Sequence, residues 1–283
     1  MVTLKVKDPG ERATTIILFI ILTGLAFVWL LPFFIVINTS LRTQHDLVAR
    51  GVFAFPENLE FKNFVDAWTI GKFNKYYRNS LLITFTKVPL GLFFAAMAAY
   101  PLAKLKFKFS DPIFVFFLIG LGIPAQVVLL PLTIIMKTTN LLNTPFALIL
   151  PYIAFGLSLQ VLVLRGFFRG IPNELIDASR MDGANEFRIL VSVIFPISSA
   201  VFSALFIIDF LSTWNEFLMA LTFLSGDTWR TVPVGMMNFL GEHGTSYPHI
   251  NAGVLVSIIP VIAVYLGLQK HFVSGMISGA IKQ

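Results

Sequence analysis

Asp177, Arg180 and Asp182 stand within five positions of one another in the one long polar insert of the C-terminal half, residues 165 to 196. Charges so spaced on a short helix pair with each other or with a partner surface. No Ser/His/Asp grouping or paired carboxylates occur at useful spacing in a water-accessible loop, so the chemistry offered there is docking rather than catalysis. Cysteine is absent, which excludes disulfides, thiolate metal sites and a cysteine nucleophile. The four histidines lack metal-ligand spacing, and His243 and His249, six apart in a loop, read as surface residues. No Gly-x-x-x-x-Gly-Lys-Ser/Thr loop occurs, so this chain has no usual cradle for ATP. Lys87, Asp209, Asn215 and Glu216 fall inside apolar stretches and need a separate account.

The element that positions the first cluster is a short helix. Pro172 suits a first helical turn because it has no N–H to leave unpaired, and Glu174 places negative charge at the positive end of the helix dipole. Gly183 is placed to end the helix in a left-handed conformation. A helix of about three turns, roughly 16 Å, is too short and too charged to cross a bilayer. Ile171, Leu175, Ala178 and Met181 recur at spacings of three and four, with Glu174, Asp177 and Arg180 between them. That periodicity alone leaves open an interfacial helix that only connects two spans.

The rest of the chain is built for lipid. Apolar residues make up 56% and charged residues 13% of it, against about 25% charged in soluble domains. The mean hydropathy is +0.81. Stretches near the spanning threshold of about 18 to 20 apolar residues occur at 14–37, 80–103, 113–134, 145–166, 196–224 and 251–272. Prolines 89, 101, 124, 131, 151 and 260 interrupt them, as kinks along a pathway or as packing adjustments. The first stretch exceeds the apolar core of a signal peptide and stays as a span. Loops 104–112 and 165–195 are basic, whereas 135–144 and 225–250 carry one positive charge each. With both termini inside, twelve Lys and Arg are cytoplasmic and eight outside, six of those in loop 38–79. The positive-inside rule thus favours N-in and C-in. Loop 38–79 mixes charge with aromatics and suits either a partner-facing surface or a simple cap. No repeat relates the two halves, unlike carriers built from duplicated halves.

The order of residues carries a resemblance. Asp177-Ala178-Ser179, three residues, Gly183, nine residues, then Val193-x-Phe195-Pro196 resembles the EAA loop of ABC importer permeases. That loop reads Glu-Ala-Ala, three residues, Gly, nine residues, Ile-x-Leu-Pro; Asp177, Ser179, Val193 and Phe195 are mild departures. Further stretches are similar to the carbohydrate-uptake branch of the family. They are Arg78-Asn79-Ser80, Ile123-Pro124 through Leu130-Pro131-Leu132, Leu148-Ile149-Leu150-Pro151-Tyr152 and Trp214-Asn215-Glu216-Phe217. The tail Gly275-Met276-Ile277-Ser278-Gly279-Ala280-Ile281-Lys282 is similar to the ending of smaller maltose-type permease subunits.

The resemblance implies an all-α membrane protein of the type I ABC importer fold, with six transmembrane helices, N-in and C-in, and a cytoplasmic coupling helix. Residues 1–13 would be a cytoplasmic segment, 14–273 the permease domain (core about 75–273, coupling loop 169–196) and 274–283 a cytoplasmic tail. Glu174, Asp177, Ala178, Arg180, Met181, Asp182, Gly183 and Ala184 would form the surface docked into an ATPase. The implied partners are a homologous second permease subunit, two cytoplasmic ABC ATPase subunits, which would hold ATP and Mg, and an extracytoplasmic solute-binding protein. Membrane lipid surrounds the chain, nucleic acid is not expected, and no cofactor is expected in the chain itself. The location would be the inner membrane of a bacterial or archaeal cell, multi-pass, and the chain would be a translocation subunit rather than an enzyme.

For a sugar path, Tyr152, Phe155, Gln160, Asp209, Phe210 and Trp214 offer aromatic faces and hydrogen bonds. Asp209 reads equally as a ligand contact or as interhelical glue. Asn215 and Glu216 read as outer-mouth or binding-protein contacts. Lys87 is expected to snorkel, the alternative being a carboxylate partner. Alternative functions are an ABC permease for a non-sugar solute or an ion-driven secondary carrier. A carrier would carry more intramembrane ionisable groups than this chain has.

Overall fold

The structure, a computed structural model, describes residues 9–241 and 244–280. His243 and parts of the expected N-terminal segment 1–13 and tail 274–283 lie outside the described residues. The chain divides into two compact units, one holding residues up to Gly71 with Phe239–Val256, the other Lys72–Asn238 and the chain from Ser257 onward.

The first unit begins with α1 (Pro9–Ser40), followed by α2 (Gln44–Arg50) and α3 (Lys62–Thr69). Within Thr14–Ser40 the most apolar 18-residue window of α1 has a mean hydropathy of 2.7 and no buried residue. Loop 38–71 is folded around polar groups. Arg42, fully buried, donates from Nε to Asp46 Oδ2 at 2.6 Å and from Nη1 to the Gly51 carbonyl at 2.7 Å. Hydrogen bonding to that guanidinium holds the Asp46 carboxyl below the usual carboxylate range. Asn63 Nδ2 donates to the carbonyls of Ser40 and Arg42, which ties α3 to the end of α1. A short antiparallel pair, β1 (Leu240–Gly241) with β2 (Gly244–Thr245), belongs to this unit. His249 stacks on Phe239 with ring centroids 5.8 Å apart.

The second unit is built on α4 (Phe73–Lys104), α5 (Ser110–Ile119), α6 (Leu129–Thr138) and α7 (Phe146–Arg169). There follow α8 (Asn173–Met181), α9 (Glu186–Ile189), α10 (Phe195–Ile197), α11 (Ser199–Trp214), α12 (Leu218–Phe223), α13 (Val232–Gly235) and α14 (Tyr247–Ala280), the last starting within the first unit. Gly91 lets α4 approach α7 closely, since a Cβ there would stand 3.5 Å from Gln160 Oε1 and 3.9 Å from Ile153 Cγ1. At one end Arg165 Nε donates to the Leu102 carbonyl at 3.1 Å, and at the other the Asn143 N–H reaches the Phe223 carbonyl at 3.0 Å. The chain leaves α11 for Phe223 at that second end, so α4 and α7 run in parallel and α11 returns antiparallel to them.

Among the described residues, four helices are long and apolar enough to span: Thr14–Ser40, Phe73–Lys104, Phe146–Arg169 and Tyr247–Gln269. A fifth span arises if the pair Glu186–Ile197 and Ser199–Trp214, bent by 82°, counts as one. The stretch 113–134 is not one helix. α5 runs into a 3₁₀ turn at Gly120–Gly122, and Ile123 is extended at φ −92°, ψ 109°. A residue before proline is pushed out of the helical region, and Pro124 has no N–H to continue the ladder. The stretch 196–224 is also divided. Its helix ends at Trp214, and α12 restarts at Leu218. Pro89, Pro101, Pro151 and Pro260, by contrast, lie inside continuous helices.

Candidate functional site

α8 lies between two closures. Lys104, the last residue of α4, donates from Nζ to the Ile171 carbonyl and, at 2.9 Å, to Asn173 Oδ1. Pro172 stands just before the helix at ψ 135° rather than within its first turn. At the far end Gly183 has φ +81°. The Gly183 N–H bonds the Arg180 carbonyl and the Ala184 N–H the Ser179 carbonyl, each at 3.0 Å. These two bonds form a Schellman motif, which needs a left-handed residue at Gly183. Asn185 then caps α9, its Oδ1 accepting from the Arg188 N–H at 2.8 Å.

The apolar face of α8 is turned differently from the periodicity expected. Ile176 and Ile171 are the buried anchors, at 2% and 6% exposure, whereas Leu175 is 44% and Met181 88% exposed. Ala178, Asp182 and Gly183 are also exposed, as are Glu174 and Asp177. A nine-residue helix held by one buried side chain leaves the residues around Leu175, Ala178 and Met181 facing outward, uncovered by the described residues. Arg180 is engaged within the loop. Its Nη1 donates to Asp177 Oδ1 and its Nε to Glu186 Oε1, both at 2.9 Å. Tyr100 on α4 donates to the other oxygen of Glu186 at 2.6 Å. The Tyr100 and Lys104 contacts were invisible in the sequence, because their partners are 86 and 67 residues away.

A second polar cluster lies between α4, α7 and α11. Lys87 is 2% exposed and donates to Asp209 Oδ1 in a salt bridge. The expectation of snorkelling is corrected: Lys87 is 14 residues from the nearer end of α4, about 21 Å at 1.5 Å per residue, beyond a lysine's reach. A buried ammonium so placed needs an internal carboxylate. Gln160 lies beside the pair. Gly156 on α7 makes the room, since a Cβ there would stand 3.1 Å from Lys87 Nζ and 3.2 Å from Gln160 Nε2. These groups border a cavity of about 270 Å³, with Tyr152, Phe155 and Glu216 also in its lining.

Of the six residues expected along a path, Tyr152, Phe155, Gln160 and Asp209 share this cavity. Phe210 and Trp214 stack on each other 5.8 Å apart, and the Trp214 indole donates to the Ser257 carbonyl at 3.0 Å, so both serve packing. Glu216 accepts from the Tyr152 hydroxyl and from the N–H groups of Met219 (2.7 Å) and Ala220 (3.1 Å), closing the first turn of α12. Asn215 is exposed and donates to the Leu211 carbonyl at 3.0 Å.

At the opposite end from α8, the loop after α12 is fastened to the start of α4. Asp227 accepts from Lys72 Nζ at 2.8 Å and from the Tyr76 hydroxyl. The bond to Lys72 holds the Asp227 carboxyl below the usual carboxylate range. Asn79 Nδ2 donates to the carbonyls of Thr228 and Arg230 at 2.9 and 3.0 Å, and Ser80 Oγ accepts from the Val232 N–H at 2.9 Å.

Comparison with known proteins adds a family to this geometry. Residues 87–278 match the model of the family described as binding-protein-dependent transport system inner membrane component. The chain is 32% identical over 273 residues to the probable ABC transporter permease protein YurM of Bacillus subtilis, covering 96% of this chain and 89% of that one. It is 31% identical over 253 residues to the melibiose/raffinose/stachyose import permease protein MelC of the same organism, covering 89% and 91%. In fold it matches a chain from a bacterial ABC transporter involved in the import of the acidic polysaccharide alginate. That match has a TM-score of 0.82 at 22% identity and covers 95% of this chain and 99% of the other.

Proposed function

Because the chain belongs to the family of binding-protein-dependent transport system inner membrane components, we propose that it forms one half of the translocation path of an ATP-driven importer for a sugar or oligosaccharide. It is a multi-pass membrane protein and a permease subunit. A homologous permease subunit supplies the other half of the path, and two separate cytoplasmic ATPase subunits, which carry ATP and Mg, supply the power. An extracytoplasmic binding protein delivers the sugar, and the location is a bacterial or archaeal inner membrane. Counting the interrupted pair α5 and α6 as one crossing and the bent pair before and through α11 as another gives six spans. α8 is then cytoplasmic, both termini are inside, and the Asp227 loop faces outward.

One observation carries this reading: α8 presents exposed Leu175, Ala178 and Met181 on a helix fastened at its base to α4 and ended at Gly183. An apolar stripe with charges beside it, projecting on a short stiff helix, fits a cleft on another protein. Closure of the ATPase pair would move α8 as a lever, and the Lys104 and Tyr100 contacts would pass that movement to α4. The spans would rock between inward and outward openings as rigid bodies. Sugar relatives such as MelC support the substrate class.

The test is uptake. Cells lacking only this chain should lose ATP-dependent entry of a labelled oligosaccharide and regain it when the chain is restored. Entry that persists without the chain, or that follows an ion gradient with the ATPase inactive, would sink the proposal.

A further inference from the structure

We infer that the cavity bordered by Gln160 and Asp209 is a subsite for the hydroxyl groups of an uncharged sugar ring and selects against sugar acids. The inference rests on the importer reading and narrows it to one substrate class. Gln160 is 2% exposed and stands beside Asp209, yet among the described residues neither its Oε1 nor its Nε2 makes a hydrogen bond of normal geometry, and the same is true of Asp209 Oδ2. Buried polar atoms are nearly always paired, so three unpaired ones at the edge of one cavity point to a guest that supplies the partners.

The kind of partner follows from the atoms. Asp209 Oδ2 and Gln160 Oε1 only accept, while Gln160 Nε2 only donates. Two neighbouring hydroxyls both donate and accept, and so meet all three. A carboxylate offers no donor and would face the free oxygen of Asp209. Lys87, the one cation in the lining, is already engaged by Asp209 Oδ1, and Glu216 adds a further negative group held by Tyr152. The lining therefore carries one cation against two carboxylates, which is unfavourable to an anion. An ammonium would satisfy the two acceptors but leave Nε2 without a partner. Phe155 and Leu159 supply the apolar wall that the C–H face of a ring requires. At about 270 Å³ the cavity lies at the small end of ligand sites, room for one ring rather than a chain of them.

The chain has no cysteine, so Ser212→Cys, in the cavity lining, gives a single reporter in the assembled transporter. Maleimide labelling of this subunit would be followed with glucose, galactose, xylose and arabinose, and separately with glucuronate and galacturonate. At least one neutral sugar should slow labelling and neither acid should. Gln160→Leu should raise the protecting concentration about tenfold or more, and Gln160→Asn, which keeps the amide but withdraws it, should raise it less. Protection by an acid equal to that by the neutral sugars overturns the inference. So does protection unchanged in both Gln160 variants, or protection by none of the neutral sugars, which would leave the cavity to water. Uptake measured in parallel separates the two levels. Lost protection with chain-dependent uptake intact removes only the subsite, whereas uptake independent of the chain removes the importer reading itself.

Discussion

Removing Lys87 would leave the Asp209 carboxylate buried with no cation, and a stranded buried charge costs about 3–5 kcal/mol. Lys87→Met should therefore lower the thermal unfolding temperature in detergent, with Asp209 partly relieved by taking up a proton. The double variant Lys87→Met/Asp209→Leu should recover most of that loss, because two apolar residues replace the pair. A double variant no more stable than the single one would show that the pair does not hold α4 to α11. Gly183 works differently. Among the described residues a Cβ at that position meets no atom within 4 Å, so a substitution is opposed by backbone conformation. A left-handed residue other than glycine costs roughly 1–2 kcal/mol, less for asparagine. Gly183→Val should leave membrane insertion intact but uncouple ATP hydrolysis from sugar, while Gly183→Asn should keep coupling. Normal sugar-stimulated hydrolysis in Gly183→Val would contradict the docking role of the turn.

Elements here are fastened at their ends by polar contacts and along their lengths by small residues. The Asp227 loop is the example at the N-terminal end of α4. Because the folded pKa of Asp227 lies below its unfolded value, its contribution is fully present above the unfolded value of about 3.9. It is lost as pH falls through the lowered folded value. Protection of the amides in residues 224–231, corrected for the intrinsic exchange rate at each pH, should therefore fall as the pH drops below about 4. Asp227→Asn should show the faster exchange at neutral pH and lose the acid response; an unchanged profile would assign the loop's order to Asn79 instead. At the other end, Lys104→Met removes the donor to the Ile171 carbonyl and Asn173. α8 should still form, because its Schellman closure does not involve Lys104. Sugar-stimulated hydrolysis should fall, with co-purification of the ATPase retained. Loss of co-purification would instead place Lys104 in the docking surface.

For the whole molecule, orientation is the decisive quantity. In the cysteine-free background, Ser179→Cys should react with a membrane-impermeant maleimide only from the cytoplasmic side, and Ser225→Cys only from outside. The reverse pattern would invert the topology and remove the coupling role of α8. The sequence alone determined the class of molecule, because burying long apolar runs in water has no solution and lipid leaves helices as the economical way to pair the backbone. It also determined the left-handed stop at Gly183 and the polar insert around it, since both depend on residues adjacent in the chain. Local order could not say that Lys87 meets Asp209 across 122 positions, or that Lys104 grips the base of α8. Nor could it turn Leu175 and Met181 outward, or withdraw Phe210 and Trp214 into packing while leaving Gln160 at the cavity. Those outcomes depend on which faces of α4, α7 and α11 meet, and helical periodicity fixes a face without naming its neighbour.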